Sequence, residues 1–85
     1  MEMITVPAGE VIFNKGEQSD AAYVIKEGVV EIFEEGDEGN RRLALLSKGT
    51  MFGEYGVLDG GTRSASARCV TESTLSIMPL EPSMQ

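Results

Sequence analysis

Histidine and tryptophan are absent from this 85-residue chain, cysteine occurs once, and seven lysines and arginines face fourteen aspartates and glutamates. Without histidine, and with a single thiol, the chain has no ligand set for zinc or iron and no imidazole to serve as general base. Metal-cupin chemistry and His-based catalysis are excluded together. Cys69 has no partner for an intrachain disulfide, and its place in an alternating segment marks it as inert core. The shortage of basic residues leaves a formal net charge of −7, which repels phosphate backbones and anionic lipid at long range. No apolar run approaches the roughly 20 residues of a membrane helix, and the opening Met-Glu-Met-Ile-Thr lacks the basic start and apolar stretch of a secretory signal. A cytoplasmic protein is expected, with no direct nucleic-acid partner and no membrane contact.

What is present reads as one small folded domain, since 85 residues leave little interior to divide between two. An apolar content of 41% with 25% charged residues is that of a globular chain. Ten glycines cut the sequence into short segments rich in Val, Ile, Phe, Leu and Thr, the pattern of a small all-β domain. Strands are expected over 3–6, 11–14, 22–26, 29–34, 42–46, 64–70 and 74–78. In Val30, Ile32 against Glu31, and in Ala65, Ala67, Cys69 against Ser64, Ser66, Arg68, apolar and polar residues alternate as half-buried strands require. Gly28 marks a tight corner or bulge, and 35–40 an acidic hairpin tip in solvent. Arg41, Arg42, Lys26 and Lys48 have no motif around them and read as solvated surface. The domain is expected over 1–78, with 79–85 as a tail.

One stretch, Phe52-Gly53-Glu54-Tyr55-Gly56-Val57-Leu58-Asp59-Gly60-Gly61-Thr62-Arg63, breaks the strand rhythm. It reads as a single helical turn over 54–58 closed by Asp59-Gly60-Gly61, glycine being a common helix terminator. A helix start offers backbone N–H groups without internal partners and a partial positive charge, and Gly53 and Gly56 permit close backbone approach. After the Gly-Gly-Thr turn, Arg63 and Ser64 return beside Glu54. Such a site combines a planar cationic fork, free amides and a hydroxyl for a phosphate with a carboxylate acceptor for a sugar hydroxyl. These groups match a ribose 3′,5′-cyclic phosphate one by one.

Phe52-Gly53-Glu54-Tyr55-Gly56-Val57-Leu58 followed by Arg63-Ser64-Ala65 resembles the phosphate-binding cassette of cyclic-nucleotide-binding domains, above all the bacterial catabolite-activator-like members. Gly9, Phe13, Gly16-Glu17, Ser19-Asp20, Tyr23-Val24-Ile25, Gly28 and Gly49 fall where that family has its turn glycines and strand residues. The resemblance implies an eight-stranded β-roll of jelly-roll type (a double-stranded β-helix), with the cassette forming one wall of a pocket for cAMP or cGMP. By position it implies that Glu54 accepts the ribose 2′-hydroxyl and Arg63 pairs with the cyclic phosphate. Gly53, Tyr55 and Gly56 then belong to the cassette wall, and Ser64 and Ala65 add hydroxyl or backbone contacts. Tyr55 stands where the family usually has Leu, and Gly-Gly-Thr where many members have Pro. The family usually continues into helices, one of which closes over the base; Pro79 and Pro82 argue against such a helix in the tail.

The resemblance implies a regulatory module signalling to an attached or associated effector, with no catalytic residue, metal or cofactor. Two plainer alternatives stand beside it. Glu54 and Arg63 form a structural ion pair, or the β-roll serves as an interaction or homodimerisation module without nucleotide binding.

Overall fold

Side-chain alternation is the feature on which these short segments assemble, because a strand of a two-sheet stack must bury one face only. The computed structural model of the chain describes residues 2–54, 56 and 60–79. Among them are eight strands: β1 (Glu2–Val6), β2 (Val11–Phe13), β3 (Ala21–Glu27), β4 (Val30–Gly36), β5 (Gly39–Leu46), β6 (Met51–Phe52), β7 (Ser66–Cys69) and β8 (Ser73–Pro79). They form two four-stranded sheets, ordered β1-β8-β3-β6 and β2-β7-β4-β5, with every pairing antiparallel. This is the expected all-β roll. Glu54 and Gly56 have helical backbone; Tyr55, Val57, Leu58 and Asp59 of the expected turn, and 80–85 of the expected tail, lie outside the described residues.

The core lies between the sheets. In one, Leu75 is flanked in register by Ile4 and Ile25; in the other, Val30 faces Cys69 and Ile32 faces Ala67. Ile25, Val30, Ala67, Cys69 and Leu75 are completely buried, and full burial of a Leu, Ile or Val side chain contributes about 1.5–3 kcal/mol. Burial pushes the Cys69 thiol above its ordinary range, which keeps it protonated and unreactive as expected of core. Gly28, between β3 and β4, has φ 103°, and a Cβ there would meet the Glu72 carbonyl at 2.7 Å. The corner read from the sequence therefore requires glycine on two counts.

Several boundaries differ from the sequence expectation. Met51–Phe52 forms a strand that was not expected, held by pairing of Phe52 with Tyr23 and Met51 with Val24. The β4–β5 hairpin extends its pairing to Gly36 and Gly39, so only Asp37 and Glu38 turn. Ser64, Ala65 and Val70 fall outside β7, because the chain there is still leaving the return loop or entering the next turn. Arg42 is not merely solvated: its Nε donates to Glu31 Oε2 at 2.8 Å, while Arg68 Nη2 donates to Oε1 at 2.6 Å. These two cations cover Glu31, which explains a carboxylate only 7% exposed in mid-strand.

The Arg42 hydrogen bond first, and then that of Arg68, hold the Glu31 carboxyl below its ordinary 4.5. A depressed native pKa contributes stability that is full above the unfolded value and is lost as pH falls through the native one. The difference in urea-unfolding free energy between the natural chain and Glu31→Gln is therefore expected to be largest at neutral pH, to shrink as pH falls below 4.5, and to close once pH is below the depressed native pKa. Parallel curves for the two chains contradict this assignment.

Candidate functional site

The site is built from segments far apart in the sequence that the two sheets bring together. Before β2 ends, a register shift leaves Ile12 as an extra residue, so Phe13 lies opposite Ala67 and is buried while neighbouring Ile12 also packs on the core. Tyr23 and Phe52, paired across β3 and β6, stack at 5.4 Å, and Phe13 lies 6.1 Å from each ring. This aromatic floor carries Arg63: its guanidinium carbon lies 4.0 Å from the Phe13 ring centroid and 5.9 Å from that of Tyr23. Cation–π attraction in so desolvated a place is worth up to about 2 kcal/mol. Burial pushes the Tyr23 phenol above its ordinary value of 10, with Arg63 opposing the shift.

The Arg63 side chain is 3% exposed. Its Nη1 donates to the Gly53 carbonyl at 2.8 Å and its Nη2 to the Ala21 carbonyl at 2.7 Å; Asp20 Oδ1 lies 3.6 Å away and is mostly in solvent. Its Nε has no hydrogen-bond partner among the described residues. The acidic partner of Arg63 is thus Asp20, and the simple Glu54–Arg63 ion pair is not formed. A buried guanidinium with an unmet donor is costly unless something negative completes it.

Backbone hydrogen bonds fix where Arg63 stands. Arg63 N donates to Glu17 O at 2.8 Å, Gly16 N to Arg63 O at 2.9 Å, and Ser19 N to Gly61 O at 3.1 Å. Gln18 pairs with Thr62 as an isolated bridge, and its side-chain amide reaches the carbonyls of Gly60 and Gly61. Glu17 in turn accepts from the Asn14 backbone and side chain, which lower its pKa and hold the loop in shape. The loop over 14–20 therefore straps the return segment that carries Arg63.

A cavity of about 320 Å³ opens beside this arrangement. Gly53, Glu54, Gly56, Arg63, Ser64 and Ala65 all line it, so the structure brings these sequence-selected residues to one wall; Tyr55 lies outside the described residues. Phe13 and Phe52 continue the lining beneath Arg63, and the apolar part formed by Ile32, Leu43, Leu46 and Met51 is a finding of the structure that the sequence reading did not select. Leu43 and Leu46, three apart, reach one cavity because Ile32 pairs with Ala44 and Phe33 with Arg42, leaving Leu43 as a bulge residue. The cavity joins one cation, one carboxylate, a hydroxyl and an apolar wall, which suits an anionic ligand with a flat apolar part. No helix among the described residues is long and apolar enough to cross a membrane.

Comparison with known proteins agrees with this geometry. The family model described as "Cyclic nucleotide-binding domain" matches residues 3–84. The Cyclic AMP receptor protein of Thermus thermophilus is 43% identical over 70 residues, which make up 81% of this chain and 32% of that protein. The cAMP-dependent protein kinase regulatory subunit of Emericella nidulans is 39% identical over 72 residues, 85% of this chain and 17% of that protein. The chain thus spans a third or less of these curated relatives. Among solved structures, the Thermus thermophilus Catabolite Activator Protein superposes with TM-score 0.85 at 38% identity, covering 92% of this chain and 37% of that one. The cAMP-bound form of the EAL enzyme Bd1971 gives TM-score 0.88 at 32% identity, over 92% of this chain and 21% of that one.

Gly53 is the residue whose replacement tests the local construction. It has φ 82°, and a Cβ there would meet Arg63 Nη1 at 2.8 Å. Gly53→Ala is expected to lower the unfolding free energy by about 1–3 kcal/mol and to shift the Arg63 Nε–H resonance in NMR spectra. An unmoved resonance contradicts the contact.

Proposed function

Because this chain belongs to the cyclic nucleotide-binding domain family, we propose that its cavity takes up cAMP or cGMP and that binding is transmitted to an effector. The observation that carries this reading is a buried Arg63 on the cavity wall whose Nε has no hydrogen-bond partner among the described residues. A cyclic phosphate supplies the missing acceptor, and the guanidinium is already desolvated and stacked on Phe13, so little is lost on binding. Glu54 accepts the ribose 2′-hydroxyl, and Gly53, Tyr55 and Gly56 present the cassette backbone to sugar and phosphate. Ser64 and Ala65 add contacts beside the phosphate, and the purine lies against the apolar wall that includes Leu43 and Met51.

In this reading the chain performs no chemistry on its ligand, needs no metal or other cofactor, and works in the cytoplasm. The relatives are several times longer than the matched region, and the effector is a domain or subunit of that kind, or a second copy. A different reading, an interaction module without nucleotide, draws on the exposure of Leu43, Leu45 and Met51 on the edge strands β5 and β6.

Calorimetric titration with cAMP and with cGMP separates the two. The natural chain is expected to bind at least one of them, and Arg63→Ala to weaken binding by at least about tenfold, since hydrogen bonds to charged groups are worth about 1.5–3 kcal/mol. Arg63→Lys keeps the charge but not the fork and is expected to fall between. Circular dichroism confirms that each variant is folded. Equal heats from Arg63→Ala and the natural chain, with a nucleotide-independent dimer by light scattering, favour the interaction module.

A further inference from the structure

Gly56 lines the cavity, but what excludes a side chain there comes from the other side. A Cβ at position 56 would collide with the Ser19 hydroxyl, would lie 2.7 Å from Ser19 Cβ, and would press on the Thr62 carbonyl at 3.2 Å. The backbone of Gly56 is helical and its φ is not positive, so its conformation alone does not call for glycine. Ser19 is wholly buried, does not reach the cavity, and its Oγ has no hydrogen-bond partner among the described residues. A buried hydroxyl without a partner is destabilising. Among the described residues no hydrogen bond accounts for the Ser19 hydroxyl, whereas the side chain fits closely against Gly56.

The same residues are joined through the backbone. Ser19 N donates to Gly61 O at 3.1 Å, and Gly61 N donates to Gly56 O at 2.9 Å. Contact and hydrogen bonds close a ring linking the strap loop, the return segment and the cassette turn. We propose that Ser19 is a positioning residue for the ligand: a spacer whose volume, matched to the missing side chain at Gly56, sets the separation of strap and turn. That separation keeps Glu54 and Arg63 on one cavity wall. The inference rests on the nucleotide reading above and adds to it a residue that touches no ligand.

The test is a double-mutant cycle on this chain with S19G, G56A and S19G/G56A, read in two ways. Amide hydrogen exchange at Gly61 and Arg63, whose N–H groups bond Gly56 O and Glu17 O, reports the ring without ligand. Calorimetry with cAMP reports its effect on binding. G56A alone is expected to accelerate exchange at both amides and to weaken binding about tenfold or more, as overpacking does. With S19G added, exchange and affinity are expected to return to within about threefold of the natural chain, helped by the better helix propensity of alanine.

The proposal is overturned if G56A has the same effect with and without S19G, or if G56A lowers the melting temperature while the folded protein binds cAMP as before. If G56A alone does not fold, recovery of folding and binding in S19G/G56A supports the spacer, and failure to recover refutes it. A natural chain that does not bind cAMP or cGMP refutes the functional reading instead, and the exchange cycle still decides whether Ser19 sets the cassette.

Discussion

The structure turns on one buried cation. Arg63 is held by the carbonyls of Gly53 and Ala21, stacked on Phe13 and approached by Asp20. These contacts come from β2, from the loop before β3 and the start of that strand, and from the segment after β6, whereas Arg63 itself stands in the loop before β7. A guanidinium taken out of water needs acceptors with good geometry, and only the assembled roll brings them together. Folding and site formation are therefore one event at this end of the molecule.

Irregularities in the strands do much of the placing. The register shift in β2 turns Phe13 under Arg63, and the one in β5 turns Leu43 toward the cavity beside Leu46. A regular strand offers one face every second residue, and neither side chain would reach its present position without a bulge. The rest of the frame is conventional: core pairs such as Val30 with Cys69, and the Glu31 triad across β4, β5 and β7, hold the sheets so that these departures are stable.

Much of this was legible in the residues. Alternation in 30–32 and 65–69 marks two strands whose apolar residues Val30, Ile32, Ala67 and Cys69 join the core, although Glu31 and Ser66 on the other parity are buried as well; the run from Phe52 to Ala65 carries its chemistry in local order. Gly53, Glu54, Gly56, Arg63, Ser64 and Ala65 could be selected together because a turn needs neighbours in sequence. The apolar wall could not, since its members come from four distant segments and depend on a bulge that leaves no periodic signal. A two-residue strand such as Met51–Phe52 is too short to show a period. Nor does an isolated serine at 19 reveal that it abuts Gly56; that is a fact of tertiary packing, visible only when loop and turn are in place.

We propose that Arg63 is a desolvated cation prepared for a cyclic phosphate. A crystal structure of the chain with cAMP tests it most directly. Phosphate oxygens are expected at about 2.7–2.9 Å from the Arg63 guanidinium, with the ribose 2′-hydroxyl on Glu54. Nucleotide bound elsewhere, or within the cavity with Arg63 bonded only to Gly53, Ala21 and Asp20, would contradict it.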